Sequence, residues 1–475
     1  GGLGDVAGAL PLELAARGHD VRIVMPRYRS TKRLPTSSLQ GALGVPFGPS
    51  TRWCGVHRAE LASERAGRPT VPVYLLEHDH FFDRDGVYND RAGEFGDNLE
   101  RYGLLSLGSL EMCRYLGFEP DVIHVHDWPT SLVPLLLDTV ESGTELARAA
   151  TVLTIHNLGY QGWFDRSAWG AAGLPWDGRA LASLERSGQL NLLQAGIRHA
   201  TLVSTVSPNY AHEIRTHEGG EGLDALLRAR EGDVVGVLNG IDEHAWNPAT
   251  DRHLPAHFHA DELAGKAACK RALQREFGLP ERPDTPLVGI VSRLATQKGI
   301  DVVVAALDRL LALDLQLVVL GSGDKRLEGA LLERAHASDR MRAWIGHNEA
   351  LAHRIEAGAD LFLMPSRYEP CGLNQMYSQR YGTLPIVRAV GGLDDTVENG
   401  STGFKFEHLT EDALVGTVTW AVETYRYEPE RFRAMQRRAM TKPLGWAHAA
   451  RQYEALYRLA MHRRRLRRGG GLVAR

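Results

Sequence analysis

Ser366-Arg367-Tyr368-Glu369-Pro370-Cys371-Gly372-Leu373-Asn374-Gln375 is the stretch on which the fold turns. The apolar run 360–364 leads into it and predicts a strand; 373–381 leads out and predicts a helix. In an open α/β sheet a ligand binds in the crevice beyond the carboxyl end of a strand. Glu369 falls in that crevice. Pro370 holds the turn, Gly372 lets backbone approach a ligand, and the helix start offers unpaired N–H groups to an anion. A carboxylate beside a phosphate cradle suits a nucleotide-sugar, with sugar hydroxyls on the acid and the diphosphate on the helix start. The plainer alternative is a carboxylate capping a helix at a surface turn.

The chain has 475 residues, too many for one hydrophobic core, so two domains are expected. A formal net charge of −3 gives no reason to expect nucleic acid or a membrane as partner. The four cysteines (Cys54, Cys113, Cys269 and Cys371) lie far apart, and none forms a C-x-x-C pair. Neither a disulfide framework nor a zinc site is indicated, and a reducing cytoplasm is expected, or a plastid for a plant source. No apolar run is long enough to span a bilayer. The sequence opens at Gly1 rather than Met, and its first residues read as a strand-to-helix loop. A strand is therefore expected upstream, where a signal or transit peptide would also have room.

From Gly1 a helix is predicted with Val6, Leu10 and Leu14 on one face, ending at Gly18. A glycine loop before a helix is a phosphate or sugar cradle. Gly2, Gly4 and Ala7 also fit a dinucleotide fingerprint, but the following strand, 21–25, ends in Met25-Pro26-Arg27 without the ribose-binding acid, which argues against NAD. His78, Asp79, His80 and Asp83 read as a solvated loop rather than a metal site. Strands predicted at 121–127 and 151–156 end in Asp127 and in His156-Asn157, where a parallel sheet presents its ligand edge. Further strands at 71–77, 201–206 and 234–238, with a helix at 97–117, complete a β-then-α alternation that indicates a doubly wound parallel sheet.

Between 248 and 286 five prolines surround one helix near 262–277, which reads as the domain boundary. Three histidines there, His253, His257 and His259, sit on a proline-flanked linker ill suited to a metal. A strand at 287–292 begins a second sheet, and Arg293 and Lys298 follow it. Two cations at a strand's ligand edge suit a diphosphate, one as a fork and one as a point charge; the alternative is a solvated basic loop. Strands at 315–320, 341–345, 360–364 and 384–387 follow, and Gly391-Gly392 opens another helix. The alternation is again βα. Helices fill 411–463, with 446–461 amphipathic, and the basic tail 462–468 reads as a frayed, solvated end.

With these motifs assembled, the chain resembles bacterial glycogen synthase and plant starch synthase, the retaining ADP-glucose glucosyltransferases of the GT-B fold. The resemblance runs over nearly the whole chain. It rests on Gly1-Gly-Leu-Gly-Asp5, His124-Val-His-Asp-Trp128, Thr154-Ile-His-Asn-Leu158, Val237-Leu-Asn-Gly-Ile-Asp242, Ser292-Arg-Leu to Gln297-Lys-Gly299, Pro365-Ser-Arg-Tyr-Glu-Pro-Cys-Gly372, Tyr381-Gly-Thr-Leu-Pro385 and Gly391-Gly-Leu-Asp-Asp-Thr-Val397. It implies two Rossmann-like α/β domains facing across a cleft. The expected division is 1–247 on the acceptor side, a linker at 248–285, 286–443 on the nucleotide-sugar side, and a final segment 444–475 crossing back.

The resemblance also implies roles. Arg293 and Lys298 would hold the donor diphosphate, with backbone N–H groups of Gly372 and Leu373 beside Cys371. Glu369 would hold the glucose hydroxyls and stabilise charge at the anomeric carbon. His156 would line the reaction face, with Asp127, Asn157, Asn239 and Gly346 completing the pocket and Gly1, Gly2 and Asp5 forming its N-terminal wall. ADP-glucose and an α-1,4-glucan would be the substrates, with no cofactor and no metal, since Arg and Lys take a metal's part. The family carries a donor-binding Lys-Thr just before the first Gly-Gly, upstream of the sequence given. Pro129-Thr130-Ser131 stands where His-Ala-Gly is usual, Gln194 where a lysine is, and Asn374 where a threonine is. Two alternatives stay open: a glucan-binding homologue with impaired turnover, and a related transferase using UDP-glucose.

Overall fold

The computed structural model describes residues 2–63, 67–91, 93–174 and 178–469. The chain divides into two units. One takes the chain up to Val206, then Ala211–Val237, then everything from Ala449; the other takes Ser207–Tyr210 and Leu238–His448.

The second unit is built on a six-stranded, wholly parallel sheet. Its order is Met341–Ile345, Gln316–Gly321, Leu287–Val291, Leu361–Met364, Leu384–Arg388 and Phe404–Phe406. Numbered along the chain, that is 3-2-1-4-5-6, the order of dinucleotide-binding sheets. The four inner strands are short, mostly apolar runs, while the edge strands carry Arg342 and Lys405. Alternate residues go to opposite sides: Leu317, Val319, Leu361 and Leu363 join one apolar cluster, and Val318, Leu320, Phe362 and Met364 join another. A strand buried on both faces needs this continuous hydrophobicity, and helices supply both covers.

The stretch expected to be a linker, 248–285, belongs to this unit. Its helix, Ala264–Glu276, buries Cys269 and Leu273, and Lys266 Nζ donates to Ala357 O at 2.9 Å and to Thr383 Oγ1 at 2.6 Å. Asp251 accepts from Tyr381 Oη at 2.5 Å and lies 2.7 Å from His353 Nδ1. The prolines there mark turns in an anchored segment, not a spacer.

The first unit carries a four-stranded parallel sheet ordered Val234–Gly236, Leu202–Thr205, Ala150–Ile155, Val122–His126. A mixed sheet joins Ile23–Pro26 parallel to Val71–Glu77, with Ser50–Leu61 antiparallel on its other side. The hairpin Leu43–Phe47 to Ser50–Leu61 is not foreshadowed by the sequence pattern, because Gly44, Pro46 and Gly48 interrupt the alternation. Gly48, at φ +59, makes its two-residue turn.

Two further expectations change. Helix Gly2–Ala16 buries Val6, Leu10 and Leu14 as expected, but it begins at Gly2, so the glycines form its first turn rather than a loop before it. The basic tail is not frayed. Helix Trp446–Gly469 carries the chain to residue 469, and Arg464 is buried. No helix among the described residues is long and apolar enough to cross a membrane.

Candidate active site

In a sheet ordered 3-2-1-4-5-6 the chain leaves strands 1 and 4 in opposite directions, and the gap between their carboxyl ends is where a ligand fits. Here strand Leu287–Val291 is followed by Arg293 and Lys298, and its neighbour Leu361–Met364 is followed by Glu369. The sheet order therefore brings both loops to the same switch point.

Several contacts clamp these loops together. Gly299, at φ +70, ends the turn Thr296–Lys298, and a Cβ there would sit 1.9 Å from Pro365 O. Only glycine permits that approach. Arg367 N–H donates to Gln297 O at 2.8 Å. The Arg367 guanidinium grips Asp301 with two bonds of 2.7 Å and holds its carboxyl below the usual range. From below, Gly391 and Gly392 press on the acid's loop: their Cβ positions would fall 2.0 Å from Glu369 O and 2.0 Å from Cys371 O.

Within this frame Lys298 Nζ donates to Glu369 Oε2, and Ser366 Oγ donates to the same oxygen at 3.1 Å. Glu369 is buried. Arg293 is exposed and donates to Gln297 Oε1 at 2.9 Å. Gly372 stands at φ +70, and the N–H groups of Gly372 and Leu373 meet no acceptor among the described residues. The helix that follows, Asn374–Arg380, has only seven residues, so individual N–H groups matter more there than a helix dipole. Asn374 is occupied, its Nδ2 donating to Val291 O at 2.6 Å.

Asn239 is buried with no partner on its Oδ1 among the described residues, and its backbone meets the Cys371 thiol. Burial pushes that thiol up to about 12, so Cys371 is a packing group and not a nucleophile. Gly346, at φ +145, follows Met341–Ile345 and donates to Gly321 O at 2.9 Å. Asn239 belongs to this unit, although it is expected on the acceptor side.

In the first unit Asp127 and His156 lie just past the ends of paired strands, His126 opposite Thr154. Asp127 adopts φ +54, uncommon outside glycine, and its Oδ1 accepts His156 N–H at 2.7 Å. Burial raises the Asp127 carboxyl to about 7, against the pull of N–H groups from His156 and Asn157. His156 is buried, which holds its pKa well below the ordinary histidine value, with His126 adding to the effect. The unusual Thr130 and Ser131 both work locally: Thr130 Oγ1 accepts His126 N–H at 2.7 Å, and Ser131 Oγ donates to Asp127 O at 2.8 Å. Asn157 spends its Oδ1 on Gly159 N–H at 3.0 Å, which closes its own turn. Gly2 and Asp5 lie on the first turn of their helix, and Gly1 lies outside the described residues.

Sequence reasoning missed His126 and Ser366, which touch His156 and Glu369, and Arg367, which ties the Glu369 loop to Gln297 and Asp301. The alternation His124-x-His126, which puts two histidines on one strand face, was the available signal. Among the described residues no group of three or more His, Cys, Asp or Glu is disposed to hold a metal.

A family model described as the starch synthase catalytic domain matches residues 1–229, and one for group 1 glycosyl transferases matches 274–439. The chain is 53% identical to a glycogen synthase of Anaeromyxobacter sp. (strain Fw109-5) over 470 residues, 96% of each chain. It is 46% identical to glycogen synthase 1 of Geobacter metallireducens over 475 residues, 98% of this chain and 94% of that one. Among solved structures it is similar to the catalytic domain of starch synthase IV from Arabidopsis thaliana bound to ADP and acarbose: TM-score 0.86, 33% identity, 97% of this chain and 96% of that one. Sucrose-phosphate synthase from Thermosynechococcus elongatus, at TM-score 0.57 and 19% identity over 95% of this chain and 91% of that one, shares the fold.

Proposed function

The chain belongs to the glycogen and starch synthase family of hexosyltransferases, and on that premise we propose that it moves glucose from ADP-glucose to the non-reducing end of an α-1,4-glucan with retention of configuration. The observation that carries the reading is the Lys298–Glu369 pair at the switch point of the second unit. Breaking the anomeric bond puts positive charge on the sugar and negative charge on the departing diphosphate. Lys298 and Arg293 take the diphosphate, joined by the N–H groups of Gly372 and Leu373. A diphosphate that draws Lys298 away frees a Glu369 oxygen for sugar hydroxyls and for charge at the anomeric carbon. Once the donor has drawn Lys298 across, these groups face the developing charges, so stabilising the transition state costs little further reorganisation.

His156 and Asp127 act on the glucose, Asn239 and Gly346 on the remainder of the donor, and Gly2 and Asp5 on its N-terminal side. Retention without a covalent nucleophile fits attack on the same face, assisted by the leaving phosphate. ADP in the Arabidopsis starch synthase structure supports adenine as the donor base. Four free thiols fit a reducing cytoplasm.

The test is ADP release from ADP-glucose with and without glycogen, alongside UDP release from UDP-glucose. Glycogen-dependent turnover that favours ADP-glucose is the expected result. A clear UDP preference overturns the donor assignment, and release that lengthens no glucan overturns the acceptor.

A further inference from the structure

We propose that His126 is a positioning residue for this transfer: its Nδ1 holds the His156 ring and decides which protonation state His156 Nδ1 presents to the substrate. The inference rests on His156 being a site residue, and the experiment separates the two. His126 Nδ1 lies 3.0 Å from His156 Nε2. The rings are 5.3 Å apart and tilted by 35°. His156 Nδ1 is buried and has no partner among the described residues, so it is the ring atom left for a ligand. One proton is shared across the Nδ1···Nε2 contact of two neutral imidazoles. If His126 donates it, His156 carries its own proton on Nδ1 and can donate to the substrate; if His126 accepts, His156 Nδ1 is a bare acceptor. Burial favours the neutral form of both rings, with His126 brought down to about 4.

His126 is held through its backbone by Thr130 and through its ring by His124. Thr130 Oγ1 accepts its N–H at 2.7 Å and donates to its carbonyl at 2.9 Å. Its ring packs on His124 at 4.2 Å. His124 in turn is pinned at Nδ1 by Tyr457 Oη at 2.8 Å and at Nε2 by Thr154 Oγ1 at 2.6 Å. Thr154 Oγ1 closes the chain on Ser204 Oγ at 2.6 Å. The Thr130 bonds fix the backbone whatever residue stands at 126; the contact that asks for a histidine ring is the one from Nδ1 to His156.

Three substitutions, each assayed for kcat and KM with ADP-glucose and glycogen, test this. His126→Phe keeps the ring and loses the nitrogens; kcat is expected to fall about tenfold, the worth of one lost hydrogen bond, with KM moving less. Asn places an amide where Nδ1 was, and Gln places it where Nε2 was. His126→Asn is therefore expected to recover most of the activity, and His126→Gln to stay as low as Phe. A space-filling role predicts that the two amides behave alike, and that result overturns the proposal. In a His156→Ala background His126→Phe should cost nothing further. Additive losses show that His126 does not act through His156. Should His156→Ala itself turn over like the native protein, the reading of His156 fails and the proposal falls with it; loss at His156 with a silent His126→Phe sinks the proposal alone. Should the Phe variant not fold, the Asn and Gln pair carries the test.

Discussion

At the scale of single residues, Lys298 and Glu369 form an ion pair at the switch point of the second unit's sheet. On the proposed reading Lys298→Ala removes a cation from where charge develops, so kcat should fall about 10²–10³-fold while circular dichroism still reports the native fold. Turnover near that of the native protein would take the pair out of the mechanism. Asp127 gives a pH signature. Its folded pKa, about 7, lies above the ordinary carboxylate value, so the fold favours its protonated form. As pH rises from the unfolded value through 7, the ionised form costs stability that Asp127→Asn does not lose. The variant should therefore gain on the native protein in urea midpoint between about pH 4 and 7 and hold a constant lead above it. The placement of Lys298 and Glu369 at one switch point, and of His156 at a strand end, was legible because each follows an apolar run. The contact of His126 with His156 was not, because it depends on how the two strands are paired, and sequence does not state register.

At the scale of elements, the loop that carries Lys298 keeps its place because Gly299 lets it rest on Pro365. Gly299→Ala demands a left-handed alanine and a shift of backbone away from its Cβ. A stability loss of at least about 2 kcal/mol is expected, read as a lower urea midpoint. Activity should fall further than stability explains, since the loop displaced is the one bearing the cation. An alanine variant that unfolds at the native midpoint would show that the close approach is not needed. The second sheet was almost fully readable: its inner strands, such as Leu361–Met364, are buried apolar runs, and the edge strand Met341–Ile345 keeps its sequence-read boundaries. The hairpin over residues 43–61 was not, because strands with one open face and a glycine or proline every few residues give no clean period. Gly2–Ala16 misled for a related reason: glycines read as loop, yet here they begin a helix.

At the scale of the whole molecule, prolines and arginines were the misleading residues. Prolines between 248 and 286 suggested a linker where Asp251, Lys266 and Lys270 are tied to one unit. Arginines after 461 suggested a solvated end. The last helix buries Ala449, Tyr453, Leu456 and Ala460, and the next position on that stripe is Arg464. Arg464 donates to Ala147 O at 2.9 Å and to Asp138 Oδ1 at 2.7 Å, and Arg467 pairs with Asp233 at 3.0 Å. A charge at the end of an apolar stripe hides the stripe from any reading of hydropathy, although the guanidinium is satisfied by a carbonyl and a carboxylate. Burial pushes the Asp138 carboxyl up, but hydrogen bonds from His199 and Arg464 outweigh it and leave it below its usual value. The stability this gives is present above the unfolded carboxylate pKa and is lost as pH falls through the lower folded one. Arg464→Ala should therefore destabilise the protein by about 1–3 kcal/mol at pH 7. The penalty should shrink on acidification as Asp138 gains its proton in both forms. What then remains is the lost bond to Ala147 O, so the difference should narrow without closing. A frayed tail predicts no difference at any pH, and urea midpoints at pH 7 and below pH 4 tell the two apart.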